Sequence, residues 1–343
     1  MNKANKMLLG YTKTELTKED AQKLTHINLG FGRIPTDLSI TVDKPFDDPA
    51  YVKKLKEWNP ELTVILSLFH THRDTWKMAS STAEGRRTFA KNCAKLCAEV
   101  GYDGVDLDWE YPCIPSNGIA ASPDDKHNFT LLLKAIREEL DAIPGVKPHY
   151  LTIASGADAY YCENVEMEQI TPLLDWFNIM TYDLKCGFHA LSGHHTNLFP
   201  AIGDYFHNSC SRALQVYESY GVPQEKLLMS CGFYTIQWDN VPNVNNGFLQ
   251  LTRAGAHHGP DYHELLSDYI NKNGYTRYWD DTAKAPWLYN PDTGIFISYD
   301  DKQSLTAKCE YILENDYPGI FYWVHGADNT KTLLDCIYSN FNR

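Results

Sequence analysis

The chain has 343 residues, enough for one large α/β barrel or two ordinary domains. Apolar residues make up 43% and charged residues 22%, the profile of an ordinary soluble globular protein. Asp and Glu outnumber Lys and Arg by 44 to 31; the net charge of −13 argues against a nucleic acid or an anionic membrane as partner and suits a neutral substrate.

Short apolar runs alternate with helical patterns from one end to the other, with no low-complexity linker and no internal repeat. Met7–Tyr11 reads as a first strand, followed by a short helix near Thr17–Lys23. A second strand spans His26–Phe31, a helix lies around Tyr51–Trp58, and a third strand spans Thr63–Leu68. From about Gly85 to Val100, residues Phe89, Cys93, Leu96, Cys97 and Val100 form one apolar stripe and predict a helix. The fourth strand is an acidic one, ending at Glu110. A helix then opens with Ser122 as cap, Pro123 in the first turn and Asp125 as capping-box acid, and continues through Phe129, Leu132, Leu133, Ile136 and Leu140.

The fifth strand is Tyr150–Ser155, with a short helix near Val165–Leu174; the sixth is Trp176–Tyr182, with a helix over Ser209–Tyr220. Leu227–Tyr234 is the seventh. After a long excursion come a helix at Ser304–Asn315, the eighth strand at Gly319–Val324 and a helix at Lys331–Asn340. Eight such units predict an α/β fold, a (β/α)8 TIM barrel forming a single catalytic domain over residues 1–343, with a doubly wound sheet as the alternative. Thr235–Ser298 is too long for one connecting loop. It carries Tyr262, Tyr269, Tyr275, Tyr278, Trp279, Trp287 and Tyr289, so residues 235–298 are expected to be an inserted α+β subdomain forming a cleft wall.

The stretch Tyr102–Pro112 reads Tyr-Asp-Gly-Val-Asp-Leu-Asp-Trp-Glu-Tyr-Pro. Val105, Leu107 and Trp109 alternate with Asp106, Asp108 and Glu110, so a strand here buries one face and lines up three carboxylates on the other. Three like charges so close do not all ionise cheaply; at least one proton is expected to stay near neutral pH. A proton-sharing acid/base relay is the leading interpretation, with a solvated edge strand or a hard-cation site as alternatives. In a barrel, chemistry sits at the C-terminal ends of the strands, where Glu110 falls.

Other features carry less. The histidine pairs His70 with His72, His194-His195 and His257-His258 lack the further ligands that a metal site requires, and no metal is expected. Nine scattered cysteines contain no CxxC pair and suggest no disulfide framework. Asn128-Phe129-Thr130 is a glycosylation sequon, but it opens a helix. No apolar run approaches membrane-spanning length, and Met1–Met7 lacks the apolar core of a signal peptide. Extracellular action is nonetheless expected, with a cytoplasmic location as the alternative.

Asp103, Asp106, Asp108 and Glu110 match the D-x-x-D-x-D-x-E signature of glycoside hydrolase family 18, the chitinase family, which the chain resembles over nearly its whole length. Met180-Thr181-Tyr182-Asp183 resembles the family's M-x-Y-D segment. By that likeness Tyr182 bonds the substrate's N-acetyl group, with Met180 and Asp183 flanking the same site. Trp323 resembles the tryptophan that floors the central sugar subsite, while Tyr234 and Tyr111 resemble further sugar contacts. Gly193-His194-His195 resembles a family loop. There are departures: the family's S-x-G-G reads Ser67-Leu68-Phe69-His70, Thr235-Ile236 replaces a Gly-Arg pair, and Val324 replaces a glutamate. Ser67 keeps its place and is expected to hydrogen-bond the inner aspartate; Phe69 and His70 are expected to narrow the cleft floor.

The resemblance implies a retaining, substrate-assisted mechanism. Glu110 protonates the glycosidic oxygen, the substrate's own acetamido oxygen attacks the anomeric carbon, Asp108 orients that acetamido group, and Asp106 shares a proton with Asp108. No cofactor is implied. The expected substrate is chitin or a chitooligosaccharide, and the expected state is a monomer, with assembly into a larger complex left open. Two further functions stay open: an endo-β-N-acetylglucosaminidase acting on N-glycan cores, and a non-catalytic chitin-binding lectin.

Overall fold

The computed structural model describes residues 6–145, 147–187, 189–252 and 255–342; the extreme start of the chain, on which part of the leader-peptide expectation rests, lies outside them. Eight parallel strands close a barrel: β1 (Met7–Thr12), β2 (His26–Ile34), β3 (Thr63–His70), β4 (Gly104–Leu107), β5 (Tyr150–Ser155), β6 (Trp176–Ile179), β7 (Leu227–Gly232) and the last strand of the chain, Gly319–His325. Each strand from β1 to β6 pairs with the next, β6 pairs with β7, and Gly319–His325 closes the ring between β7 and β1. This is the (β/α)8 barrel, with an α+β insertion after β7.

The chain forms two compact units, one comprising Leu9–Ile179 with Val216–Leu228 and the other comprising the rest. In the first unit several helices begin where a short polar side chain satisfies an exposed backbone donor. Thr17 caps Lys18–Lys23, Asp48 caps Pro49–Trp58 with proline in the first turn, and Thr82 caps Ala83–Val100. Ala83–Val100 stops at Gly101, whose φ of 89° is cheap only for a residue without Cβ.

The observed elements differ from expectation at several edges. The helix expected to open at Ser122 starts at Asp125, because the Asp125 carboxylate accepts from Ser122 N at 2.7 Å and locks a turn ahead of the helix. One helix expected near residues 165–174 is two short ones, Ala159–Glu163 and Met167–Ile170. Thr75–Ser80 is a helix with no sequence expectation behind it. β4 ends at Leu107, short of the acidic row's end. β6 and β7 also end early, before Tyr182 and Tyr234, whereas β2 and β3 run on to Ile34 and His70.

In the second unit, the stretch after β7 forms a five-stranded antiparallel sheet from β8 (Ile236–Trp238), β9 (His257–His258), β10 (Thr276–Asp280), β11 (Ala285–Asn290) and β12 (Ile295–Ser298), in the order β10-β11-β12-β8-β9. The closing barrel strand, Gly319–His325, is therefore β13. One face of the inserted sheet is greasy: Trp238, Phe248, Trp287, Tyr289 and Phe296 form one buried cluster. Many of the aromatics noted in this stretch are thus core, and burying rings of that size supplies much of the sheet's stability. Cys93, Cys97, Cys113, Cys162, Cys210, Cys231 and Cys309 are free thiols, and among the described residues no helix is long and apolar enough to cross a membrane.

Candidate active site

β4 places Asp106 inside the barrel, fully buried, level with Ser67 on β3 and Thr152 on β5. Four neutral donors saturate its two oxygens. Tyr11 Oη (2.9 Å) and Ser67 Oγ (2.7 Å) donate to Oδ2, while Thr152 Oγ1 (2.7 Å) and Asn178 Nδ2 (3.0 Å) donate to Oδ1. Burial pushes Asp106 above the ordinary carboxylate range, and those four bonds pull the other way without cancelling it.

Asp108 lies just beyond the strand, with its backbone N still donating to Leu68 O at 3.0 Å. It is nearly buried, and its Oδ1 has no hydrogen-bond partner among the described residues. Its affinity for a proton is raised well above normal, first by burial and then by the negative charges of Glu110 and Asp106; a hydrogen bond to Glu110 adds to the rise, and Lys13 opposes it. Burial and the neighbouring acids thus favour the protonated form of Asp108. The opposite face is dry. Trp109 is buried and stacks on Trp76 at 5.3 Å with planes 5° apart, and it meets Phe129 edge-on at 5.5 Å. Beside Glu110, Tyr111 is half-buried and sits edge-on to Tyr161 at 5.7 Å.

The remaining sequence-predicted residues belong to the second unit. Met180 is buried directly after β6, and Thr181 is pinned to Ser230 on β7. Tyr182 meets Tyr234 edge-on at 5.8 Å and Phe321 at 6.0 Å. Asp183 takes a left-handed φ of 54° and accepts from Tyr234 Oη at 2.6 Å. Burial pushes Asp183 up, yet its net shift is downward, because the neighbouring His195 imidazole, the Tyr234 hydroxyl and His258 favour the carboxylate. His195 Nδ1 is 3.8 Å from Asp183 Oδ1, beyond direct hydrogen-bond distance. Tyr234 keeps its proton strongly, through burial and then the adjacent Asp183 charge. Trp323, partly buried near the end of β13, packs with Tyr182 against the core of the inserted sheet.

The histidine pairs do not converge. His194 is buried against Asp280 at 3.3 Å with Phe248 and Trp287 around it, and His257 pairs with Asp239 at 2.9 Å. His70 lies against the Phe69 ring, 4.2 Å between centroids. Among the described residues no three His, Cys, Asp or Glu side chains group as metal ligands. Sequence reasoning missed Tyr11, Thr152 and Asn178 as partners of Asp106. The usable signal was positional: each is a polar residue inside an apolar strand, on the face that period-two alternation turns inward. His195 as a neighbour of Asp183 carried no such signal, since a loop brings it there.

The model of the family described as "Glycosyl hydrolases family 18" matches residues 7–328. The chain is 40% identical over 299 residues to chitinase A1 of Niallia circulans, covering 82% of this chain and 43% of that protein. It is 27% identical over 395 residues to chitinase B of Serratia marcescens, covering 96% of this chain and 78% of that one. Thus the chain spans less than half the length of the Niallia protein. Among solved structures, a family 18 N-acetylglucosaminidase from Paenibacillus barengoltzii superposes with a TM-score of 0.91 at 42% identity, covering 98% of this chain and 100% of that one. Chitinase ChiA74 from Bacillus thuringiensis gives 0.88 at 30% identity, covering 99% and 70%.

Proposed function

The chain belongs to glycoside hydrolase family 18, and on that premise we propose that it hydrolyses the β-1,4 bonds between N-acetylglucosamine units of chitin or chitooligosaccharides. The observation that carries this reading is the acid row, with Asp106 held by four donors, Asp108 nearly buried beside it and Glu110 next along the chain. Glu110 protonates the glycosidic oxygen as the bond to the leaving sugar breaks. The acetamido oxygen of the same sugar closes on the anomeric carbon, giving a cationic oxazolinium ring. Asp108 orients the acetamido group and, sharing one proton with Asp106, leaves the pair with a net negative charge that stabilises that cation. Glu110, now ionised, takes a proton from the water that reopens the ring. Two displacements at one carbon give net retention. No step calls for a metal or an organic cofactor.

In this reading Tyr182 bonds the acetamido group, Met180 and Asp183 flank it, Tyr234 holds Asp183 in place, and Tyr111 and Trp323 offer ring faces to pyranose rings. Ser67 serves the substrate site by fixing Asp106. We place the inserted sheet as a wall of the sugar-binding groove, the working state as a monomer and the site of action outside the cell.

A substrate panel tests the proposal. Chitotetraose should be cleaved with the β-anomer as first product, while fully deacetylated chitosan and cellulose oligomers of equal length stay inert, because neither carries the acetamido nucleophile. Rapid release of a high-mannose glycan with no turnover of chitotetraose would make the protein an endo-β-N-acetylglucosaminidase. Binding of both without turnover of either would make it a lectin.

A further inference from the structure

The mouth-side end of β3 carries rings, Phe69 and His70, where the family motif has two glycines; Phe31 lies on the neighbouring β2, and every residue involved lies in the unit that holds the acid row. Ser67 faces the barrel interior, as its bond to Asp106 requires. Side chains alternate along a strand, so Phe69 points to the same face one step nearer the mouth. The β3–β4 ladder continues past Asp106: Leu68 lies opposite Leu107, and Asp108 N donates to Leu68 O. Phe69 thus flanks Asp108 as Ser67 flanks Asp106. On its other side, the register of β2 against β3 slips between Gly30 and Gly32, leaving Phe31 as the extra residue of a bulge. A bulge re-aims its side chain, and the Phe31 ring lies 5.2 Å from that of Phe69. His70 backs the Phe69 ring at 4.2 Å, and the Lys13 ammonium lies 5.6 Å from the centre of Phe31. Both phenylalanines are only partly buried, so their remaining surface is open at the mouth.

We propose that the Phe31–Phe69 ring pair is a wall that ends the sugar-binding track on the β2–β3 side of Asp108, so that the protein cuts near chain ends and not within chains. Two glycines at positions 69 and 70 would leave room there for a further pyranose; a phenyl ring packed on a second ring fills that room and cannot swing away without losing its partner. Phe69 is therefore a residue that sets specificity and takes no part in proton transfer. The inference rests on the hydrolase reading above for its substrate class.

The test follows chitohexaose labelled at its reducing end through the first few per cent of turnover. The wild type should give one dominant product pair, with a fixed short fragment leaving from one end. Phe69→Gly should give several product pairs, as internal bonds become reachable. Several pairs from the wild type at the earliest times, or an unchanged pattern from an active Phe69→Gly variant, would overturn the wall. Binding supplies a readout independent of turnover. In a Glu110→Gln background, affinity for the di- to hexasaccharide should stop rising at a short length. Adding Phe69→Gly should let it go on rising, making the hexasaccharide roughly tenfold tighter, the worth of one modest sugar contact. Length-limited binding from a wild type that turns nothing over would sink the hydrolase reading and still support the wall. Affinity that climbs to the hexasaccharide in the Glu110→Gln protein alone would overturn the wall whatever the turnover.

Discussion

Asp108 and Glu110 are neighbours in the row with different burdens. Glu110 stands at the outer end and serves as the acid in the proposed reaction. Glu110→Gln keeps the size and polarity of the side chain but cannot transfer the proton. It should lower kcat by roughly 100-fold or more while the circular dichroism spectrum stays that of the wild type; a variant keeping more than about a tenth of the rate would remove Glu110 from that role. Asp108 makes a prediction about stability. Its proton affinity is raised in the folded protein, chiefly by burial and then by Glu110 and Asp106. The folded state therefore binds that proton more tightly than the unfolded chain does. The stability it lends is complete below the ordinary carboxylate range and is lost as pH rises through the folded value. Asp108→Asn does not titrate, so its melting temperature should improve relative to wild type between about pH 4 and about pH 8. A difference that stays constant across that window would mean that Asp108 carries no extra proton.

At the scale of the element, β4 and the residues just past it owe their position to what lies behind them. The acids can be crowded on one face because Val105, Leu107 and Trp109 are anchored on the other, and the Trp76–Trp109 stack is the largest part of that anchor. Trp109→Ala should cost about 3–5 kcal/mol in urea unfolding, the usual loss for deleting a fully buried large ring, and should also impair turnover through displacement of Asp108. A loss below about 1 kcal/mol would show the row to be held by its polar partners alone. The alternation was plain in the sequence because period two is a property of the backbone. The end of the strand was not, since β4 stops where its neighbours cease to pair with it, and residues 104–110 do not encode that. Helix Thr75–Ser80, which supplies Trp76, was missed because six residues are too few to show a period.

At the scale of the molecule, the charge of −13 suits the neutral substrate proposed above. Uncharged oligosaccharides are not steered by the protein's field, so kcat/KM on chitotetraose should change by less than about twofold between roughly 0.05 and 0.5 M salt. A steep salt dependence would point to a charged substrate. The eightfold strand–helix alternation was legible because each unit repeats two strong local periods over the whole chain. The insertion was legible from loop length and aromatic content, but its sheet order β10-β11-β12-β8-β9 was not, because antiparallel pairing depends on register between strands that single runs do not specify.

Local patterning by itself determined the run of eight strand–helix units, the face on which the acids lie and, through the spacing of Asp103, Asp106, Asp108 and Glu110, the resemblance to the family. These follow from side-chain periodicity and from a long, chemically unusual motif, both readable within a few residues of each other. Tertiary structure alone decided what surrounds those acids. The donors to Asp106 come from 95, 39, 46 and 72 residues away, brought level by strand register. The same register sets Phe69 beside Asp108, and a bulge no local pattern announced turns Phe31 onto it. Which carboxylate keeps the proton is a matter of burial, and burial is a property of the packed chain.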